Sequence, residues 1–512
     1  MAQLTDKLRS LYNPYVLAVV SIGYILGELG HYLIGVTSKA IAIDLHYGDI
    51  ACQFNSTKYH LSDLPDLCHT ANDSETCLSF NINGTTYCEW NYNGLGIDYQ
   101  ILAGPSFMAV FTVMGVIIGF AADKFNRVRM LTICTVVFAI AIILCGTVKE
   151  YWHLVILRMV MAAGEAGCNP LATGILSDIF PEQKRALVMS IFNWGIYGGY
   201  GLAFPVGRYI PRLNIADLGW RSVYYGTGIL ALVVAVLTGL TLREPERKSF
   251  SEGDQDTSVK TKKREKLWAV IKDPRIIMFA LAASIRHCGG MCFAYNCDLY
   301  YQTYFPDYDL GWWLLAVTIV IGSIGVVVGG IISDKIVAKL GIRSRLAVLA
   351  ISQIIATPGS FGAVYFSPVG AMITLGISYF FAEMWFGILF ALLVEIVPLQ
   401  VRSTTIGIFL FVMNNIGGNL PILVDPVSRV LGYRESLYIF FAGFYGISSI
   451  LFFLTMFLMD GPQKQPSLDK ELGHDNKIFT TADESSLATL PKGAVYPNIH
   501  IERPHSHESS RL

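Results

Sequence analysis

The sequence predicts an all-α membrane protein in which 12 transmembrane helices form two pseudo-symmetric six-helix halves. Of the 512 residues, 53% are hydrophobic and only 15% are charged, whereas soluble domains carry about 25% charged residues. Apolar stretches long enough to cross a bilayer recur along the chain, and two short motifs are repeated at nearly the same distance. The net charge of −1 gives no indication of nucleic-acid binding.

A short polar tail, residues 1–13, precedes the first predicted helix at about residues 15–36. This apolar stretch is too long for a cleavable signal peptide and lacks a small-residue cleavage site, so it is expected to remain in the membrane. Tyr24, Glu28 and His31 lie on one face of the helix. A lone histidine among apolar residues is more often a core residue, but a glutamate three residues from a histidine inside a span favours a functional role.

The polar segment at about residues 45–98 differs from the rest of the chain. It contains three glycosylation sequons, which predict an extracellular or lumenal loop, at Asn55, Asn72 and Asn83. Four cysteines in the same segment predict two disulfides in an oxidising compartment, with three possible pairings: Cys52, Cys68, Cys77 and Cys88. With this loop outside, the N-terminus is expected in the cytosol.

The predicted N-terminal bundle, residues 14–242, is completed by helices at about 101–122, 130–148, 154–176, 186–209 and 223–242. The fourth of these contains Arg158, Glu165 and Asn169. An ionised group near the bilayer centre costs about 3 kcal/mol or more, so these side chains should face protein or a water-filled cavity. Arg158 and Glu165 are nearly two turns apart on one side of the helix. Mutual neutralisation is the alternative to a functional role.

A basic segment, residues 243–274, is expected to link the halves on the cytoplasmic side, in agreement with the positive-inside rule. The C-terminal bundle, residues 275–460, follows with helices at about 276–301, 314–333, 346–366, 369–397, 404–424 and 437–459. Its buried ionisable residues are Arg286, His287 and Glu383. Residues 461–512 are predicted to be a disordered cytoplasmic tail. The tail contains Tyr496-Pro-Asn-Ile499, which resembles endolysosomal sorting signals.

Two repeated motifs divide the chain into homologous halves. The pattern Gly-x-x-x-Asp-Lys ends at Lys124 and again at Lys335, 211 residues later. The helix ending that begins with Asp178 and contains a proline three residues on recurs at Glu395, 217 residues later. Parallel repeats of this kind describe the major facilitator fold, in which the substrate site lies near the midplane between the halves.

Over about residues 14–460 the chain resembles a major facilitator superfamily transporter. Gly119–Arg129 resembles the superfamily's loop between helices 2 and 3, although Asn126 stands where a glycine is usual. Arg158 with Gly164-Glu165-Ala166 is similar to the helix 4 signature of the spinster-like branch, and so is LREPER at residues 242–247. The long sequon-bearing loop and the Glu28/His31 pair depart from that branch, and such a loop is closer to that of organic-ion carriers.

The resemblance implies that helices 1, 4, 7 and 10 line a central cavity. The predicted substrate and proton-coupling residues lie on these helices: Glu28, His31, Arg158, Glu165, Asn169, Arg286, His287 and Glu383. Guanidinium groups bind carboxylate or phosphate through paired hydrogen bonds, and buried acids change protonation with their surroundings. We therefore predict a secondary transporter that moves a small organic or lipid-like anion by alternating access with protons. Glu383 is either a proton site or a static partner of Arg286.

Charged residues where helices end on the cytoplasmic side predict a gate that latches the halves when the protein faces outward. They are Asp123, Arg127, Arg129, Asp178, Asp334, Arg343, Arg345 and Glu395. The alternative is that these charges only set topology, since exposed ion pairs contribute under about 1 kcal/mol. Their occurrence in both halves favours the gate.

Other functions are disfavoured by missing motifs. The chain has no GxxxxGK[ST] loop for ATP and no HExxH or GxSxG motif, so we expect neither an enzyme nor a bound cofactor or metal. Expected partners are the substrate, protons and membrane lipids, without nucleic acid, in the plasma or endolysosomal membrane. The competing interpretation is a non-transporting receptor on a transporter scaffold, with the long loop as its binding surface.

Overall fold

The structure is a computed structural model that describes residues 2–54, 68, 71, 73–82, 85–122, 124–245, 265–305, 308–398 and 401–459. The three sequon asparagines, the gate residue Asp123, most of the linker and the tail with Tyr496 lie outside the described residues. The predictions made for them therefore remain predictions.

Twelve helices within the described residues have the length needed to cross a bilayer. Eleven of them are also apolar enough to do so, and the twelfth corresponds to the helix predicted at about residues 186–209, which is 31 residues long in the structure. In chain order they are α1 Ala2–Leu45, α2 Ile97–Ala122, α3 Arg127–Cys145, α4 Tyr151–Ile179, α5 Glu182–Arg212, α6 Arg221–Thr241, α7 Pro274–Tyr304, α8 Gly311–Leu340, α9 Arg343–Tyr365, α10 Pro368–Ile396, α11 Thr404–Leu431 and α12 Tyr433–Leu458.

Several of these helices change geometry along their length. α2 comprises Ile97–Ala103 and Pro105–Ala122, α4 comprises Tyr151–Glu165 and Cys168–Ile179, and α10 comprises Pro368–Ala382 and Trp385–Ile396. α8 and α12 contain the π-helical turns Val317–Ile321 and Tyr438–Gly443, and α11 a 3₁₀ turn at Leu420–Leu423. Outside the spans are a 3₁₀ turn, Ile215–Asp217, and a helical segment at 265–271.

The prediction of one unbroken helix over residues 154–176 was wrong at residues 166–167, where α4 is interrupted. Pro170 explains the break, because proline has no N–H to donate to the carbonyl four residues earlier and its ring clashes with that carbonyl. That carbonyl belongs to Ala166. The interruption therefore begins immediately after Glu165.

The loop after α1 forms a small disulfide-bonded subdomain in its described part. Strand β1, Ile50–Phe54, pairs antiparallel with β4, Cys88–Tyr92, and β2, Asn81–Ile82, pairs with β3, Thr85–Thr86. A short helix, Ser74–Ser79, begins after Asp73, whose carboxylate accepts a hydrogen bond from the Thr76 amide. Of the three possible pairings, the structure has Cys52–Cys77 and Cys68–Cys88.

The helical bundle has two sides. The side at which α1 ends and α2 begins is called the loop side, and the side at which α6 ends and α7 begins is called the linker side. The halves meet at buried polar contacts on the loop-side part of the bundle, where the Gln100 amide donates to Asn296 at 2.9 Å and the Tyr99 hydroxyl donates to the Tyr295 carbonyl. Near mid-depth, Asn415 on α11 donates to Thr112 on α2 at 2.8 Å.

Candidate functional site

Three predicted residues of the N-terminal half form a buried cluster between α1 and α4. One carboxylate oxygen or ring nitrogen from each of Glu28, His31 and Glu165 lies within 4.8 Å of the other two. The exposed fractions of the three residues are 7%, 3% and 1%. The Glu28 carboxylate lies 3.9 Å from His31 Nδ1. A Cβ atom at Gly27 would lie 3.2 Å from the Glu165 carboxyl carbon, so this glycine leaves room for the acid.

Arg158 borders this cluster without pairing with Glu165. Its Nη1 donates to the His31 carbonyl at 2.9 Å and its Nε donates to the Leu102 carbonyl at 3.2 Å. The guanidinium carbon also lies 4.9 Å from the centre of the Phe107 ring. No ion pair joins Arg158 to Glu165 in the described part of the chain, so the structure does not support simple mutual neutralisation.

Unused hydrogen-bonding capacity is a feature of this cluster. Arg158 Nη2 and both carboxylate oxygens of Glu165 are buried without a hydrogen-bond partner among the described residues. A buried polar group without a partner is costly. Such groups at the centre of a bundle indicate a site that is completed by a proton, water or another ligand.

The histidine of the cluster is held firmly by aromatic rings. The His31 ring stacks between Phe107 at 3.8 Å and Tyr32 at 4.4 Å between ring centres, and its Nε2 lies 3.5 Å from the Tyr295 hydroxyl of the other half. Asn169 lies beyond the acids and donates to the Tyr24 hydroxyl at 3.3 Å. The predicted residue Asn169 therefore supports the cluster from one layer away.

In the C-terminal half, the structure pairs Arg286 with Glu383. Arg286 Nη2 donates to a Glu383 oxygen at 2.9 Å and to the Ala382 carbonyl at 2.7 Å. The guanidinium carbon lies 4.1 Å from the centre of the Trp385 ring, and the Tyr197 hydroxyl on α5 donates to the other Glu383 oxygen at 2.9 Å. The sequence left two roles open for Glu383, a proton site or a static partner of Arg286. The observed contacts favour the static partner.

His287 lies apart from this pair. Its ring faces Trp385 at 6.2 Å and lies against Gly417 on α11, and its Nε2 has no partner among the described residues. The structure therefore places His287 at the interface of α7 and α11 and not beside the Glu383 carboxylate.

The internal repeat also includes the two glutamates, Glu165 and Glu383. Glu165 ends the first segment of α4, and Glu383 directly follows the first segment of α10. The two residues are 218 positions apart, against 217 for Asp178 and Glu395. Each half thus carries a glutamate at a helix break, buried for Glu165 and partly buried for Glu383, but among the described residues only Glu383 forms an ion pair with an arginine.

The predicted gate residues form one cluster in each half. On the linker side, Arg127 donates to Asp178 at 2.7 Å and to Glu244 at 3.0 Å, and Arg345 donates to Asp334 at 2.8 Å and to Glu395 at 2.6 Å. Arg129 is exposed and Arg343 donates to the Met459 carbonyl at 2.6 Å. Among the described residues, no ion pair joins the two clusters, so a latch between the halves remains a prediction for another state.

A network of charged residues on the loop side joins the halves, and its residues are not among the predicted site residues. Arg208 on α5 lies 3.1 Å from the carboxylate of Asp298 on α7, and both are buried. Arg208, Tyr209 and Arg212 also donate to Asp309, at 3.4, 2.8 and 2.9 Å. Asp298 and Arg208 lie inside predicted spans, so the rule that intramembrane charge is functional would have found them.

A second loop-side link joins the small subdomain to the C-terminal half. Arg429 on α11 donates to Asp49 at 3.0 Å and to Asp425 at 3.1 Å. Burial raises the pKa of Asp49 above its ordinary value, although Arg429 opposes this.

For Asp309 of the first network, burial also favours the neutral form, but the hydrogen bond from Tyr209 and the charges of Arg212 and Arg208 outweigh it, so the pKa of Asp309 lies below its ordinary value. Asp309 therefore remains charged at neutral pH.

The donor atoms of Glu28, His31 and Glu165 are of the types that bind metal ions. However, the Arg158 guanidinium is hydrogen-bonded to the carbonyl of His31 itself, and its positive charge opposes a divalent cation. A proton or an ordered water fits this mixture of charges better.

The comparisons with known proteins agree with this architecture. Residues 19–420 match the family described as Major Facilitator Superfamily. The chain belongs to this superfamily. It is therefore a multi-pass membrane transporter of the superfamily and not an enzyme, as the sequence predicted.

Individual relatives are identical to this chain at about one aligned residue in four. The chain is 26% identical to the probable sulfoacetate transporter SauU of Cupriavidus necator, over 66% of this chain and 78% of that protein. It is 25% identical to the probable sphingolipid transporter spinster homolog 2 of Arabidopsis thaliana and 27% identical to the sphingosine-1-phosphate transporter SPNS2 of Danio rerio. The matches cover 53% and 50% of this chain, and 57% and 51% of those two relatives.

Solved structures show the same fold. A bacterial homolog of the human lysosomal transporter spinster, in an inward-facing and unoccupied conformation, superposes with a TM-score of 0.67 at 18% identity, covering 87% of this chain and 97% of that one. The inward-open xylose transporter XylE of E. coli gives a TM-score of 0.61 at 16% identity, covering 89% and 98%. The sequence similarities to spinster homologs agree with the predicted resemblance to the spinster-like branch, and the solved structures show the shared fold.

Proposed function

We propose that this protein is a proton-coupled secondary transporter of a small organic or lipid-like anion. The observation that carries the proposal is the N-terminal cluster, in which an arginine and a glutamate are buried with unused hydrogen-bonding atoms beside a second glutamate and a histidine. Secondary transporters of this superfamily bind substrate near the midplane between the halves. The position of the cluster near the middle of α1 and α4 supports the proposal, as does the 3.5 Å approach of His31 to Tyr295 of the other half.

The coupling proton is assigned to the pair Glu28 and Glu165. Two carboxylates this close repel each other when both are charged, so a state in which the pair shares a proton is favoured. The same proton would provide Glu165 with the hydrogen bond that it lacks among the described residues. The pair can then gain or lose a proton without disturbing a structural ion pair.

The substrate anion is assigned to Arg158. Its Nη2 has no partner among the described residues, and a guanidinium is suited to carboxylate, sulfonate or phosphate groups. An anion bound there would cancel part of the positive charge beside Glu165, which favours the protonated acid. Binding of substrate and binding of a proton then support each other, as symport requires.

Alternating access is assigned to the two layers of charged residues. In the described state, the contacts of Arg208, Asp298 and Asp309 join the halves on the loop side, while each linker-side cluster is paired within its own half. We propose that the opposite state breaks the loop-side network and brings the linker-side clusters together, as a latch. With the sequon-bearing loop outside, the side that this network closes would be the extracellular or lumenal one.

The names of the relatives suggest suitable test substrates: sulfoacetate and cis,cis-muconate are anions, and sphingosine-1-phosphate carries an anionic phosphate beside its ammonium group. Purified protein in proteoliposomes should exchange at least one of these labelled compounds in a counterflow assay. Arg158→Ala should reduce exchange about tenfold or more, since a hydrogen bond to a charged group contributes about 1.5–3 kcal/mol. Binding of a compound without exchange would support the receptor interpretation instead.

The proposed topology has its own test. Replacing Asn55, Asn72 and Asn83 with Gln should remove all N-linked glycan, because no other sequon is present and acceptors must lie in an extracellular or lumenal segment. The measurement is the gel mobility of the triple variant with and without glycosidase. A remaining glycosidase-sensitive shift would refute the assignment of the loop side to the outside.

A further inference from the structure

A deep apolar groove opens sideways between α8 and α10, outside the central cluster. It encloses about 710 Å³, within the usual range for ligand sites, about 300–1,000 Å³. Apart from Asp309 at its mouth, its lining is apolar and aromatic. Val369, Ile373 and Val320 at its rim are 69%, 61% and 54% exposed, so the groove faces the bilayer.

The groove has the depth of one bilayer leaflet. Its lining begins at Leu310, directly before α8, and extends along α8 to Ile321, which is about 16 Å at 1.5 Å per residue. Half of the hydrocarbon core of a bilayer is about 15 Å thick. The π-helical turn Val317–Ile321 forms part of this wall, and π turns often occur at functional sites. The groove therefore spans the loop-side leaflet from its interface to the membrane centre.

The mouth of the groove carries one exposed charge of each sign. Asp309 accepts a hydrogen bond from Arg212 at 2.9 Å, and the two side chains are 41% and 60% exposed. Tyr209 and Trp312 stack beside them with ring centres 5.5 Å apart, as expected for aromatic residues at a membrane interface. Aromatic faces also attract alkylammonium groups.

We propose that this groove binds one acyl chain of a zwitterionic phospholipid of the loop-side leaflet. The phosphate of the lipid lies beside Arg212, and its ammonium group lies beside Asp309 and the Tyr209–Trp312 pair. A zwitterion matches a mouth with one exposed charge of each sign, whereas an anionic headgroup has no ammonium group to lie beside the Asp309 carboxylate.

The bound lipid would stabilise the state that is closed on the loop side. Asp309 belongs both to the mouth of the groove and to the network that joins α5 to the C-terminal half. A headgroup that contacts Arg212 and Asp309 therefore adds to the contacts that are lost when this side opens. The inference does not depend on the identity of the transported substrate.

The test uses the full-length protein in phosphatidylcholine vesicles that contain a phosphatidylcholine tracer with a photoactivatable diazirine in one acyl chain. After irradiation, mass spectrometry should locate adducts on residues 313–321 and 369–381. Ile373→Trp should reduce these adducts about fivefold, because the larger side chain fills the groove. The matched control is Ile229→Trp on α6, where the isoleucine is equally lipid-facing at 54% exposure and the adduct pattern should not change.

Two results would overturn the proposal. The first is an equal distribution of adducts over all lipid-facing helices, unaffected by Ile373→Trp, which would indicate bulk lipid only. The second is a stronger competition by phosphatidylglycerol than by unlabelled phosphatidylcholine, which would rule out the zwitterionic headgroup. Stronger competition by phosphatidylcholine, lost in Arg212→Gln, is the expected result.

Discussion

At the scale of single residues, the two glutamates at helix breaks differ in their partners. Glu383 has Arg286 and Tyr197, whereas neither carboxylate oxygen of Glu165 has a hydrogen-bond partner among the described residues. Removing one partner of a buried ion pair costs about 3–5 kcal/mol, because the other charge is left without compensation. Neutralising an acid without such a partner carries no comparable cost.

This difference predicts opposite effects of the same substitution in the two halves. Glu383→Gln should lower the apparent Tm of the purified protein clearly, while Glu165→Gln should leave it unchanged or raise it. Thermal unfolding in detergent at neutral pH, followed with a thiol-reactive dye, measures both. Equal destabilisation by the two substitutions would show that Glu165 has a structural partner.

At the scale of helices, small residues determine how closely α1 and α5 approach near the cluster. A Cβ atom at Gly199 on α5 would lie 2.7 Å from the Ile25 carbonyl oxygen and 2.8 Å from the Leu29 amide nitrogen of α1. Such contacts cannot be relieved by side-chain rotation alone, so the helices must separate. The position of Glu28 therefore depends on the glycine.

Gly199→Ala is expected to reduce transport strongly, because the shift of α1 moves Glu28 relative to Glu165. The matched control is Gly226→Ala on α6, where an added Cβ atom would meet nothing within 4 Å. Both variants are compared in the proteoliposome exchange assay after correction for expression. Equal activities of the two variants would contradict the proposed role of close packing.

Much of the helix arrangement could be predicted from the sequence, since length, apolar composition and the repeat are local properties of the chain. The break in α4 was not predicted, although Pro170 indicates it. The side-chain partners were less accessible, because they depend on how helices rotate against each other. The pairs Arg286–Glu383 and Arg208–Asp298 each join residues that are far apart in sequence. The position of His287 away from Glu383 likewise depends on how α7 is rotated.

At the scale of the whole molecule, the position of the ion pairs defines a state that is closed on the loop side. The pair formed by Arg208 and Asp298 is the buried one in that network. The pKa of Asp309 lies below the ordinary value of an aspartate, which is about 4. Asp309 therefore stays charged, and keeps its contacts to Arg212, until the pH falls below about 4. Substitution rather than mild acidification is therefore the way to weaken the closure.

Arg208→Gln should open the loop side more often and expose the neighbouring Cys297, which is fully buried. The measurement is labelling of Cys297 by a membrane-impermeant maleimide, located by mass spectrometry. Arg221→Gln is the control, because Arg221 pairs with Asp44 inside the N-terminal half. An unchanged labelling rate in Arg208→Gln would mean that this network does not hold the halves together.

The central claim is that Glu165 carries the coupling proton, and one comparison tests it most directly. Glu165→Gln permanently mimics the protonated acid, so proteoliposomes that contain this variant should still exchange an accepted anion in counterflow. They should not accumulate that anion in response to an imposed pH gradient, whereas wild-type protein should do both. Full pH-driven accumulation by Glu165→Gln would contradict the account and leave the Glu28/His31 pair as the next candidate for the coupling site.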